Sequence, residues 1–173
     1  VGILRDQGEI RREQAEEWAK RVADGAPVSN LSVKYGIYQN VDRSQPLTII
    51  CDRAFIAMKS IQNEYGQSIA FYDGEMSRKH IRQRTLEAGF EEALEQREFV
   101  IYYQPQYNAQ TEHIVGAEAL VRWKKPDGTL IRPGEFIPLF ERNGQIAKLD
   151  EYVFRQVCAF QRQRMVQGKK LSP

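Results

Sequence analysis

Gly116-Ala117-Glu118-Ala119-Leu120-Val121-Arg122-Trp123 is the stretch of this 173-residue chain whose reading decides the fold. Read as an extended strand, it projects Glu118, Leu120 and Arg122 to one face and Ala119, Val121 and Trp123 to the other. A carboxylate and a guanidinium would then stand side by side. On its own such a pair is usually a surface salt bridge of little energetic consequence. Upstream, Phe99-Val100-Ile101-Tyr102-Tyr103-Gln104-Pro105-Gln106-Tyr107 is also rich in strand formers, and only the polar stretch 108–113 separates the two runs. The pattern predicts an antiparallel hairpin of 99–107 with 114–123. Gln104 and Pro105 on the partner strand complete a set with distinct chemical uses: an oxygen ligand for a hard cation, a fork for phosphate, and an amide able to read a base or ribose.

The tripeptide Glu-Ala-Leu occurs twice, at 92–94 and at 118–120. Its residues are common helix formers, so the tripeptide alone says little. The first copy lies in a charged stretch from Glu75 to Arg97, where Leu86, Phe90 and Leu94 keep an i, i+4 stripe. That stretch predicts one surface helix, with Glu92 on its solvated face. Its basic residues Arg78, Lys79, Arg82 and Arg84 stand at the helix start, against the macrodipole and without interleaved aromatics, which argues against a nucleic-acid interface.

Before the charged stretch, spacing predicts a helix over 6–24 with Ile10, Ala15, Trp18, Ala19 and Val22 along one side. A half-buried strand over 31–38 follows, and then a helix over 45–65 with the stripe Leu47, Ile50, Ala54, Met58, Ile61 and Tyr65 and with Ser44 as its cap. Ile69-Ala70-Phe71-Tyr72 reads as a last strand closed by a turn at Asp73-Gly74. This order suggests the closing half of an α/β sandwich. After the hairpin, Pro133 starts a helix containing Phe136, Leu139 and Phe140. A last helix over 145–167 shows Ile146, Leu149, Val153, Val157, Phe160 and Arg164 along one side and a basic finish at Lys169-Lys170. Tyr102, Tyr103 and Trp123 read as core or barrel-wall aromatics.

Composition sets outer bounds. Lys plus Arg number 25 against 23 Asp plus Glu, a net charge of +2, so charge makes no case for a nucleic-acid or membrane surface. Hydrophobic residues make up 42%, which suits a folded chain. Cys51 and Cys158 lack metal-ligand spacing and read as buried thiols in a reducing, cytoplasmic setting. No run approaches the ~20 apolar residues of a membrane span.

Tyr103-Gln104-Pro105, the stretch 116–123, Pro126-Asp127-Gly128, Pro133, Phe136-Ile137-Pro138-Leu139, Glu141, Gly144, Ile146 and Leu149-Asp150 together resemble the EAL family of cyclic-di-GMP phosphodiesterases. The resemblance implies that Glu118 ligates a catalytic Mg²⁺ or Mn²⁺, that Arg122 holds a substrate phosphate, that Gln104 and Asp150 contact the nucleotide, and that Leu120 and Pro133 line its bed. Asp150 could also be a plain polar residue of its helix, and Arg122 a structural ion pair. Phe140 and Tyr152 stand where the family more often has Ala and Trp, both packing positions. The stretch from Leu31 to Tyr38, with Cys51-Asp52-Arg53-Ala54-Phe55, Met58-Lys59 and Phe71-Tyr72-Asp73, resembles the C-terminal part of a GGDEF diguanylate cyclase domain. That family's Gly-Gly-Asp-Glu-Phe signature is absent, so no cyclase activity is assigned.

The resulting expectation is an α/β chain in three parts. Residues 1–76 form the end of a GGDEF-type α/β sandwich, 77–97 a linker helix, and 98–173 the opening hairpin and helices of an EAL-type (β/α)8 barrel. A full barrel takes ~250 residues, and the resemblance implies that the remaining metal ligands and the catalytic Lys lie on later strands, so no catalytic set is expected to be complete here. The segment alone is expected to be inactive, with apolar surface that favours self-association as a dimer. Three functions fit: part of a phosphodiesterase, an EAL domain that binds cyclic-di-GMP as a sensor without turnover, or an interaction scaffold.

Overall fold

The computed structural model describes residues 8–27 and 32–169. The chain divides into two compact units between Arg82 and Gln83.

The first unit runs α1 (Arg12–Asp24), β1 (Tyr35–Ile37), α2 (Leu47–Ser60), β2 (Ile69–Phe71) and the start of α3 (Gly74–Ala88). β1 and β2 pair in parallel, Tyr35 opposite Ile69 and Ile37 opposite Phe71, with α2 as the helical crossover that parallel strands need. The small residues Ala15 and Ala19 let α1 pack closely on Ile69, with Ile10, Tyr35, Ile37 and Phe71 around them. Ala57, Ile61 and Ala70 form a second cluster. Gly36 is required there: a Cβ on it would stand 1.8 Å from the Ala54 carbonyl oxygen and 2.5 Å from the Met58 nitrogen.

Several expectations change in this unit. The first helix starts at Arg12 rather than residue 6, and Val22 is half exposed. The strand expected over 31–38 pairs only over Tyr35–Ile37, because its partner β2 is itself three residues long; Leu31 lies outside the described residues. The second helix ends at Ser60, leaving Tyr65 fully exposed beyond it, and Leu47 is also exposed, while Ala57 and Ile61 take the buried face. Ser44 does not cap that helix, since both its Oγ and its backbone N–H donate to Asp42 Oδ1, at 2.6 and 3.0 Å. Asp73-Gly74 is a helix start rather than a strand-closing turn: the Asp73 carboxylate accepts the Met76 N–H at 2.9 Å in the first turn of α3. Cys51 and Cys158 are both exposed on helix surfaces rather than buried.

The second unit contains the end of α3, α4 (Phe90–Glu95), β3 (Phe99–Tyr107), β4 (Ile114–Lys124), β5 (Leu130–Ile131), α5 (Pro133–Asn143) and α6 (Ile146–Val166). The strands form an antiparallel sheet in the order β3-β4-β5. The helix expected to run through 77–97 is two, broken at Gly89. α4 is also part of the core: its Phe90 and Ala93, with Leu86 from the end of α3, pack with Phe99, Trp123, Ile131, Phe136, Leu139, Phe140 and Leu149. Phe99 and Trp123 lie 5.0 Å apart between ring centroids and Phe90 and Phe140 4.6 Å apart, tilted contacts worth ~0.5–1.5 kcal/mol each beyond the area they bury.

Pro133 takes the first position of α5 as expected, and Gly144 ends that helix with φ of 81°, a left-handed conformation that glycine adopts without strain. Along α6 the expected stripe runs through the whole helix, with Val157 and Arg164 half-buried in its second half. Leu149 is buried, and Ile146, Tyr152 and Val153 pack against the core. Off the stripe, Phe154, Met165 and Val166 are exposed, and on it Phe160 is engaged by Tyr103, which stacks on it at 4.4 Å. Lys170 lies outside the described residues.

Candidate functional site

The ladder of β3 with β4 sorts the hairpin's side chains onto two faces. Phe99 stands opposite Trp123, Ile101 opposite Val121 and Tyr103 opposite Ala119. Phe99, Trp123 and Val121 from these pairs pack in the aromatic core. The intervening pairs are Val100 with Arg122, Tyr102 with Leu120 and Gln104 with Glu118, and they take the other face. Tyr102, Gln104 and Glu118 are exposed there. Burying Phe99 and Trp123 therefore dictates that the chemically useful residues point away from the helices, because a one-residue slip would exchange the two faces.

Gln104 lies on the partner strand, as the hairpin reading expected, and the register makes it the direct cross-strand partner of Glu118. Glu118 and Arg122 share a face but do not meet, because four residues along a strand span about 13 Å. The Arg122 guanidinium instead donates to the Val121 carbonyl oxygen at 2.8 Å, which holds it along the sheet. Leu120 is half-buried beside Glu118, and Pro133 is half-buried at the start of α5. Asp150 is exposed on α6, directly after the buried Leu149. Of the expected aromatics, Trp123 is fully buried, Tyr103 is half-buried against Phe160, and Tyr102 is exposed on the open face. Burial holds the Tyr103 phenol above its ordinary pKa.

Glu118 offers one hard oxygen ligand of the kind a divalent cation takes. Among the described residues no group of three His, Cys, Asp or Glu side chains stands close enough to hold a metal ion. The donors present are thus one ligand and not a full set, and no chemical step is assigned to a metal held by these residues alone.

One residue escaped the sequence reading. Glu98 is the buried acid of the second unit, 7% exposed at the head of β3. Its Oε2 accepts the Trp123 indole N–H at 2.6 Å and the Lys125 ammonium at 2.9 Å, and Lys125 lies 4.7 Å from the centroid of the Trp123 ring. The only hint in the sequence was an acid directly preceding a run of strand formers.

The family model described as the EAL domain matches residues 87–172, which include both strands of the hairpin. The match covers 86 of the 173 residues, just under half of the chain. The bifunctional diguanylate cyclase/cyclic di-GMP phosphodiesterase MucR of Pseudomonas aeruginosa is 30% identical over 148 residues, 83% of this chain and 22% of that protein. The signaling protein YkoW of Bacillus subtilis is 29% identical over 138 residues, 80% of this chain and 17% of that protein. A solved structure titled "PaMucR Phosphodiesterase, c-di-GMP complex" aligns at 38% identity over 49% of this chain and 34% of that one, with a TM-score of 0.44. The chain spans less than a quarter of the length of either curated relative. The matched segment holds both Glu-Ala-Leu copies, and only the second sits on the open face of the hairpin. No helix among the described residues is long and apolar enough to cross a membrane.

Proposed function

We propose that this chain is part of a cyclic-di-GMP phosphodiesterase that holds the cyclic dinucleotide with the open face of the β3–β4 hairpin together with residues of α5 and α6. Glu118 is the first ligand of a Mg²⁺ or Mn²⁺ ion, Arg122 holds a phosphate, Gln104 and Asp150 contact the nucleotide, and Leu120 and Pro133 line its bed. The observation that carries the reading is the pairing of Gln104 with Glu118 on the open face, inside the segment that matches the EAL domain. In such a hydrolysis a divalent cation activates water and neutralises charge on the transferring phosphate. The chain's own contributions are placement and charge. The Arg122 fork binds an anionic oxygen, the Gln104 amide offers both a donor and an acceptor, and Leu120 gives the base an apolar surface.

The alignment with MucR is longer than the matched segment, so it reaches into the first unit. That reach supports a tandem GGDEF–EAL parent, with the first unit as the end of an α/β sandwich and the second as the opening of a (β/α)8 barrel. With one acidic ligand on its open face, the 173-residue chain by itself is inactive. The test is hydrolysis and binding of cyclic-di-GMP by the intact protein, with and without Mg²⁺. Metal-dependent opening of the phosphodiester supports the proposal. Tight binding without turnover replaces it with a sensor, and neither binding nor turnover removes it.

A further inference from the structure

Glu98 joins three elements at the open end of the hairpin. Its backbone N–H donates to the Ala93 carbonyl oxygen of α4 at 2.9 Å, and its carbonyl oxygen accepts the Lys124 N–H of β4 at 2.8 Å. Its carboxylate takes both the Trp123 indole N–H and the Lys125 ammonium on a single oxygen. A carboxylate so deeply buried is tolerated only when donors replace its water. Here one donor stands at the end of β4 and the other directly follows it.

The opposite end of the hairpin offers less control. The register shifts between Gln106 and Tyr107, so that Gln106 pairs with Gly116 but Tyr107 with Ile114. Beyond this shift the connecting loop is closed by Asn108: its N–H donates to the His113 carbonyl oxygen, its carbonyl oxygen accepts the Glu112 N–H, and its side chain accepts the Gln110 and Thr111 N–H groups, each at 2.9 Å. From Phe99 with Trp123 to Gln104 with Glu118 the ladder runs without interruption. The pairing of the site residues is therefore set from the Glu98 end. A slip of two residues would keep the buried face apolar but carry Trp123 about 7 Å along the strand, beyond reach of the Glu98 carboxylate.

We propose that Glu98 is a positioning residue: through the Trp123 indole and Lys125 it fixes the β4 register that sets Glu118 opposite Gln104. Its effect on cyclic-di-GMP rests on the functional reading above, whereas its effect on register does not. Reach to the indole matters more than charge, because Lys125 is partly open to water and the indole is fully buried. Glu98→Gln keeps an acceptor at the right distance, and Glu98→Asp keeps the charge but withdraws it.

The experiment uses the intact protein carrying Glu98→Ala, Glu98→Asp or Glu98→Gln, studied well below each variant's melting midpoint. Amide hydrogen exchange is followed along 99–107 and 114–124, and steady-state kinetics and binding are measured with cyclic-di-GMP. In Glu98→Ala and Glu98→Asp, faster exchange extends through Gln104 and Glu118, and kcat/KM falls roughly 10- to 100-fold, the cost of misplacing groups by about an ångström. Glu98→Gln stays close to the parent in both readouts. If Glu98→Ala does not fold, the ranking of Glu98→Gln above Glu98→Asp carries the test. Exchange confined to the residues next to Glu98 and Trp123 with unchanged kinetics, or a ranking of Glu98→Asp above Glu98→Gln, overturns the proposal. Exchange that spreads as expected in a protein that neither binds nor cleaves cyclic-di-GMP leaves the register role standing and removes the phosphodiesterase reading.

Discussion

The two Glu-Ala-Leu copies are the same three residues used for opposite purposes. At 92–94 the tripeptide closes the short helix α4: Ala93 is completely buried, Leu94 packs beside it, and Glu92 lies in solvent, bonded to Gln96 at 2.9 Å. At 118–120 it sits mid-strand, where the period of two separates Glu118 and Leu120 on the open face from Ala119 on the face that carries Trp123. Neighbouring residues make the difference. The break at Gly89 and the left-handed Arg97, with φ of 56°, limit the first copy to a helical turn and a half, whereas the second is flanked by strand formers and a ladder partner. The first copy still serves the second, because the Ala93 carbonyl anchors Glu98 and Glu98 bonds the strand that carries Glu118.

Changes that attack each copy's support sharpen the contrast, and the largest effect falls on the shared core. Trp123→Ala should destabilise the second unit by about 3–5 kcal/mol, read as a shift in the denaturant midpoint of the intact protein. A loss below about 1 kcal/mol would mean that this core does not fix the faces of the hairpin. Next, Ala93→Leu forces extra methylenes into a filled site and should cost about 1–3 kcal/mol by the same measurement.

The alkaline limb probes the strand paired with the second copy and the helix packed on it. Burial raises the Tyr103 and Tyr152 phenols above the ordinary value of 10.0. Both states hold the proton below that value; above it the unfolded chain ionises first, so stability falls as pH rises toward the folded-state pKa. Tyr103→Phe should flatten this limb, and Tyr152→Phe should flatten it while losing the bond from the Tyr152 hydroxyl to the Phe99 carbonyl oxygen, 3.0 Å. An unchanged alkaline limb in both variants would contradict their burial. The smallest effect belongs to the exposed Lys148–Glu91 pair beside the first copy, where Glu91→Gln should change stability by no more than ~1 kcal/mol.

Much of this contrast was legible in the sequence. The hairpin, the sorting of Glu118 from Ala119, the pairing region of Gln104 and the start of α5 at Pro133 all follow from period and local chemistry. What failed depended on partners far along the chain. The 31–38 run could not reveal that its partner would be three residues long, and Ser44 could not show that Asp42 would claim its hydroxyl. Glu98 was invisible because a buried acid is recognised by its donors, and Trp123 and Lys125 are distant in sequence. The supposed neighbourhood of Glu118 and Arg122 failed for a simpler reason: sharing a strand face is not contact.

The most direct measurement compares cyclic-di-GMP hydrolysis by the intact protein and by its Glu118→Gln and Glu92→Gln variants in the presence of Mg²⁺. Loss of outer partners of a metal ligand typically costs ~10–100-fold, so loss of the ligand itself should lower kcat/KM by more than about 100-fold. Glu92→Gln should leave it unchanged. Full activity in Glu118→Gln, or an equal loss in both variants, would contradict the assignment of the metal-ligand role to the strand copy.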